Sequence, residues 1–146
     1  IMFHTQSPES MKKLHGWPVS LEFQLLGGLS DGKERHTGNV CTPGTHIVLD
    51  GKLEKTHCID SNSKTYHGDQ WVTAELEVKD DEYMRQWING ELVMEYKKPI
   101  ADKFDPEQPA HPMADGIPVT EGYIALQAES HPTDFRNIMI LNLDDQ

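Results

Sequence analysis

The sequence predicts an all-β chain folded as an antiparallel sandwich of the jelly-roll type, and three observations predict it. Apolar and polar residues alternate with period 2 through most of the apolar segments, as in strands that bury one face and expose the other. An Asn-Gly pair, the strongest short-range hairpin signal, joins two of these segments. Residues 8–14 alone carry a pattern that would make a helical turn or two, and there are no internal repeats.

The first clear strand falls at Ser20-Leu21-Glu22-Phe23-Gln24-Leu25-Leu26, where Leu21, Phe23 and Leu25 alternate with Ser20, Glu22 and Gln24. A second runs over residues 71–78, with Val72, Ala74, Leu76 and Val78 set against Thr73, Glu75 and Glu77. Then comes Tyr83-Met84-Arg85-Gln86-Trp87-Ile88, the turn Asn89-Gly90, and Glu91-Leu92-Val93-Met94-Glu95-Tyr96. Both turn residues accept positive φ, so a type I′ hairpin is expected here. Two more strands are predicted at 122–128 and 135–143. In the latter Ile138 and Ile140 oppose Phe135, Met139 and Leu141, so that both faces are apolar and a central strand is expected. The polar, Gly-, Pro- and Ser-rich stretches 29–38, 60–68 and 97–121 read as loops. The third, with five prolines, is long enough to suggest a functional role.

At 146 residues, 36% of them hydrophobic, the chain fills one domain with a modest core. Thirteen Lys and Arg face 24 Asp and Glu, a formal charge of −11. Such a surface repels phosphate backbones and anionic lipid, so nucleic acid and membrane surfaces are poor partners for it. A neutral ligand such as a sugar, or a metal held by carboxylates, suits it better. No apolar run approaches the roughly 20 residues of a membrane span. The opening Ile1-Met2-Phe3-His4-Thr5 reads neither as a signal peptide nor as a natural start. Residues 1–5 are therefore expected to form a strand whose domain continues upstream, making residues 1–146 the C-terminal segment of a longer sandwich.

Cys41 and Cys58, 17 positions apart, would form a disulfide in an oxidising compartment; otherwise they are two unrelated small apolar side chains. They are not a CxxC pair, so zinc-ribbon and thioredoxin chemistry is excluded. The eight histidines show no HxH or HxxxH spacing. Of them His4 stands out, because it interrupts an apolar strand. Strand alternation puts Glu22 and Gln24 on the polar face of one strand, and Tyr123, Gln127 and Glu129 along one side of another. Hydrogen-bonding side chains beside an aromatic ring are what a sugar needs, its hydroxyls meeting Gln and Glu and its apolar face the ring. A solvated outer face would show the same pattern.

Four stretches resemble the 3-keto-disaccharide hydrolase domain family, whose fold is the concanavalin A-like lectin/glucanase sandwich. Ile1-Met2-Phe3-His4-Thr5-Gln6-Ser7 is similar to its "sGIFxH/R" strand, and Gly16-Trp17-Pro18-Val19-Ser20-Leu21-Glu22-Phe23-Gln24-Leu25 to "WPxSIExQLM". Gln70-Trp71-Val72-Thr73 with Trp87-Ile88-Asn89-Gly90 is similar to its hairpin. Leu126-Gln127-Ala128-Glu129 with Phe135-Arg136-Asn137-Ile138 resembles the closing "LQSEG…FRNI", the most specific of the four. The resemblance implies cleavage of glycosides oxidised at C3, by hydrolysis or elimination, in a secreted, periplasmic or cell-surface setting. It puts His4, Glu22, Gln24, Gln127 and Glu129, with Arg136 nearby, on the family's concave polar face. The catalytic groups expected are Glu22 or His4 as base and Glu129 as partner acid, with Gln24, Gln127, Arg136 and the aromatics Trp17 and Tyr123 expected to bind substrate. It also implies a divalent metal ion in some members. Two departures bear on specificity: Leu25-Leu26-Gly27-Gly28 replaces the family's loop after Gln24, and His131-Pro132 a plain Gly-Pro. A non-catalytic sugar-binding module and a purely structural domain are the competing classes, since a sandwich hosts all three.

Overall fold

The computed structural model describes residues 1–11, 17–108, 111–129 and 132–143. Its strands are β1 (Met2–Thr5), β2 (Leu21–Gln24), β3 (Asn39–Cys41), β4 (Thr45–Leu49), β5 (Lys52–Glu54), β6 (Cys58–Ile59), β7 (Ala74–Lys79), β8 (Tyr83–Ile88), β9 (Glu91–Ala101) and β10 (Tyr123–Ala125). They form two five-stranded sheets, ordered β10-β1-β2-β3-β6 and β5-β4-β9-β8-β7, and every strand pairing is antiparallel. No α-helix occurs among the described residues. The expected helical segment is a single 3₁₀ turn at Pro8–Ser10, and residues 12–14 lie outside the described chain. The sequence's antiparallel sandwich is therefore the fold observed. The strands expected at 20–26 and 122–128 fall in one sheet, with β1 between them.

One hydrophobic cluster closes the two sheets on each other. Phe3, Leu21, Phe23 and Val40 point in from the first sheet, and Ile47, Met84, Ile88, Val93, Met94 and Tyr96 from the second. Each follows from alternation: β2 reads buried, half-buried, buried, half-buried, which turns Glu22 and Gln24 away from Leu21 and Phe23. A polar group sits within this core. Gln86 is fully buried, and its Nε2 donates to the carbonyls of Gly38 at 2.8 Å and Asn39 at 3.3 Å, while Tyr96 donates its hydroxyl to Oε1 at 2.9 Å. With both ends satisfied, the amide joins the sheets at no desolvation cost. Gly38 must be glycine for this approach, because its φ is +76° and a Cβ would lie 2.9 Å from Val93 and 3.0 Å from Ile88.

The Asn89-Gly90 hairpin forms as expected between β8 and β9, with φ of 50° and 80° and Ile88 paired to Glu91. Asn89 also closes the ladder beyond it, its Oδ1 accepting from Thr73 N at 2.9 Å. The strand expected from residue 71 begins at Ala74, leaving Trp71 half-exposed.

The structure departs from the sequence-based expectation in three places. The loop expected from residue 97 begins later, because β9 runs on through Pro99 to Ala101. A proline has no ladder donor, and the register shift between His46 and Val48 opposite, with Lys98 at φ 51°, makes the bulge that accommodates it. Strands β3 to β6, which fill residues 39–59, had no alternation long enough to announce them. Residues 135–143 form no strand: Ile138, Met139 and Ile140 are 65%, 87% and 81% exposed. A two-sided apolar pattern records a preference for burial, but a strand also needs a ladder partner, and none pairs with this segment among the described residues.

Candidate functional site

Register, rather than proximity in sequence, assembles the site. Ala125 pairs with Met2, Met2 with Glu22, Glu22 with Cys41, and Cys41 with Cys58, so one row of side chains crosses all five strands of the first sheet on its outer face. Cys41 and Cys58 are bonded across adjacent strands, with Cα atoms 4.1 Å apart. The disulfide thus lies directly beside Glu22. Around it opens a cleft of about 180 Å³ lined by Trp17, Glu22, Gln24, Cys41, Pro43, His57, Cys58 and Glu129.

Each wall has an identifiable support. Trp17 is held where its carbonyl accepts from Gln108 Nε2 at 2.8 Å, which ties the long loop after β9 to the cleft. Gln24 accepts from Asn39 Nδ2 at 3.1 Å through its amide oxygen, so its N–H donors are what it offers to a ligand. His57 is fixed by its backbone, whose carbonyl accepts from Thr42 N at 2.8 Å. It faces Glu22 closely enough for their charges to interact.

Burial holds the Glu22 carboxyl above the ordinary glutamate range. His57 pulls the other way, and the Glu129 carboxylate pushes it further up. A carboxyl that binds its proton more tightly folded than unfolded adds stability that is fully present below the ordinary glutamate value. That stability is lost as pH rises through the raised folded value. Glu22→Gln, which mimics the protonated form, should therefore melt no lower than the parent protein at pH 7. Below pH about 4 the two should converge. Melting curves across this range check the sign, and a variant less stable at pH 7 would contradict it.

Of the residues singled out from sequence, the structure brings Trp17, Glu22, Gln24 and Glu129 to one cleft. His4 is placed elsewhere. A bulge between Met2 and Thr5, with His4 at φ 47°, breaks the alternation, and Gly122 of the neighbouring segment packs so close that a Cβ there would lie 2.4 Å from the His4 carbonyl carbon. The imidazole Nδ1 is 3.0 Å from the Val119 carbonyl, which can only accept, so Nδ1 carries the hydrogen. Burial lowers the imidazole's pKa, and the charges it meets are Asp80, Asp81 and Glu121, not Glu22 or Glu129. Tyr123 is 54% exposed on the edge strand β10. Gln127 is half-buried, its Oε1 without a hydrogen-bond partner among the described residues. Arg136 stacks its guanidinium 3.9 Å from the centre of the Trp71 ring.

His57 and Pro43 are lining groups that sequence reasoning missed, and the Cys41–Cys58 bond, anticipated for an oxidising compartment, was not expected to line the site. The signal was present but indirect: once Cys41 is known to sit beside Glu22 and to bond Cys58, the residue before Cys58 is carried to the cleft. Among the described residues no three His, Cys, Asp or Glu side chains gather as a metal ion requires, so no chemical step is assigned to a metal. No described helix is long and apolar enough to cross a membrane.

Fold and cleft together define an antiparallel sandwich of the concanavalin A-like type with a carboxylate-bearing cleft on the outer face of one sheet. The model of the 3-keto-alpha-glucoside-1,2-lyase-like domain matches residues 1–141, nearly the whole chain, and the chain belongs to that family. No curated protein and no solved structure matches it.

Proposed function

We propose that this domain cleaves the glycosidic bond of 3-keto-glycosides, with Glu22 as the base and Glu129 as its partner acid. The observation that carries this is the cleft itself, where a half-buried Glu22 with a raised pKa meets Glu129 and His57. A 3-keto group acidifies the C2 proton. Glu22 removes it, the C2–H electrons form the C1–C2 double bond, and the C1–O bond breaks as the leaving oxygen takes a proton from Glu129. Raising Glu22's affinity for a proton makes it a stronger base near neutral pH. The product is an unsaturated keto sugar plus the freed alcohol, and water added across the double bond completes a net hydrolysis. At about 180 Å³ the cleft is smaller than the roughly 300–1,000 Å³ of sites that engulf whole ligands, which suits one sugar ring with the leaving group outside.

The protein should release the leaving alcohol from a 3-keto-glucoside and leave the same glucoside with a free 3-hydroxyl intact. Chromatographic detection of the alcohol checks this, and equal inertness toward both sugars would overturn it. The Cys41–Cys58 disulfide suits an oxidising compartment, so we place the protein outside the cytosol. A non-catalytic sugar-binding module is the second reading, favoured by the exposed ring of Tyr123. It predicts saturable binding of the keto sugar with no turnover.

A further inference from the structure

We propose that the outer face of the second sheet carries a separate binding site for a neutral pyranose, on the opposite side of the sandwich from the Glu22 cleft. It extends the carbohydrate reading to a surface that reading does not use. The placement follows from register. Ile47 points into the core, so His46 faces out with its partner Ile100, and Val48 faces out with its partner Leu53. Above this row lies a cavity of about 440 Å³, larger than the Glu22 cleft, walled by His46, Leu53, Lys55, Asp102, Phe104 and Asp115 among others.

Three features match the two-sided chemistry of a sugar ring. First, Phe104 is 77% exposed, yet it is not loosely held. Its N–H donates to Asp102 Oδ1 at 3.1 Å, and Asp105 N closes the same turn on the Asp102 carbonyl at 3.3 Å. An apolar ring presented to solvent on a hydrogen-bonded turn beside a cavity is a preorganised stacking surface for the C–H face of a pyranose. Second, the cavity wall supplies hydroxyl partners. Asp115 uses Oδ1 for Lys103 N at 3.1 Å and keeps its second oxygen, and Lys55 brings donors. Third, His46 points Nε2 at Asp102 Oδ2, 3.4 Å away, which fixes the Asp102 carboxylate as a hydroxyl acceptor in the wall. Two carboxylates against one lysine make the site unsuited to an anion, and the mixed lining unsuited to a purely apolar ligand.

Titrating ¹⁵N-labelled protein with methyl α-D-glucopyranoside, and separately with maltose, tests this. Amide signals of residues 53, 102–104 and 115–116 should shift together and saturate. Phe104→Ala should weaken that binding about tenfold or more, the scale of one lost stacking contact, and Phe104→Trp should retain it. Being exposed, residue 104 should tolerate both changes, and turnover of a 3-keto-glycoside should stay at the parent level in each. Glu22→Gln should leave these shifts as they are. Shifts confined to residues around Glu22, no saturable shift near residue 104, or full binding in Phe104→Ala would each overturn the proposal. Because binding is read on one face and turnover on the other, either reading can fail while the other stands.

Discussion

Glu22→Gln should lower turnover of a 3-keto-glycoside by about a hundredfold or more while the protein remains folded, the scale expected when a general base is removed. Glutamine keeps the shape and a hydrogen-bonding end but cannot take the C2 proton. Folding should survive because burial of Glu22 opposes its ionisation, so removing the charge relieves a cost. Glu129→Gln should lower turnover less for substrates whose leaving group departs without protonation, such as a nitrophenolate, than for those with an alkyl alcohol. Rates for the two substrate types in the two variants separate the roles. If both variants keep full activity on both substrates, the assignment is wrong.

The second large effect is expected at the disulfide. Reduction, or the pair of changes Cys41→Ser and Cys58→Ser, should cost about 3 kcal/mol for a loop of this length, a melting point roughly 6–12 °C lower in a chain of this size. Strand β6 has two residues and, among the described residues, pairs only with β3, so the bond is a main tie of this edge, and His57 directly precedes it. Activity should therefore fall further than the loss of folded protein accounts for. Thermal melts with and without reductant, alongside initial rates at a temperature where all forms are folded, check both parts. An unchanged melting point on full reduction would show that the bond does not hold this edge.

How far the sequence disclosed the molecule depends on which physical signal each part carries. The β8–β9 hairpin was legible because Asn89 and Gly90 are among the few residues that accept two successive positive φ values. Glu22 and Gln24 were legible because Leu21 and Phe23 fix the phase of their strand. Their joining with Trp17 and Glu129 was not available from alternation, which gives a face but not a neighbour; it came from resemblance. His4 shows the limit of counting by twos, since one residue at positive φ turns its side chain out of phase. Strands of two or three residues, such as Lys52–Glu54 and Cys58–Ile59, are too short to show a period at all. Residues 135–143 show the converse, a strong pattern without a strand.

The buried amide of Gln86 has a consequence for how this cleft could be altered. From the Tyr96 hydroxyl the hydrogen bonds run to Gln86, from Gln86 to the backbone at Asn39, and from the Asn39 side chain to Gln24 at the surface. One wall of the cleft is therefore moored to the middle of the protein, whereas Trp17 and His57 are held by loop contacts. Replacing Gln24 with a residue that has no side-chain acceptor removes the outermost partner of this chain and leaves Asn39 Nδ2 with the His36 carbonyl alone. The loop-borne walls are where variation in substrate range can accumulate without disturbing the core.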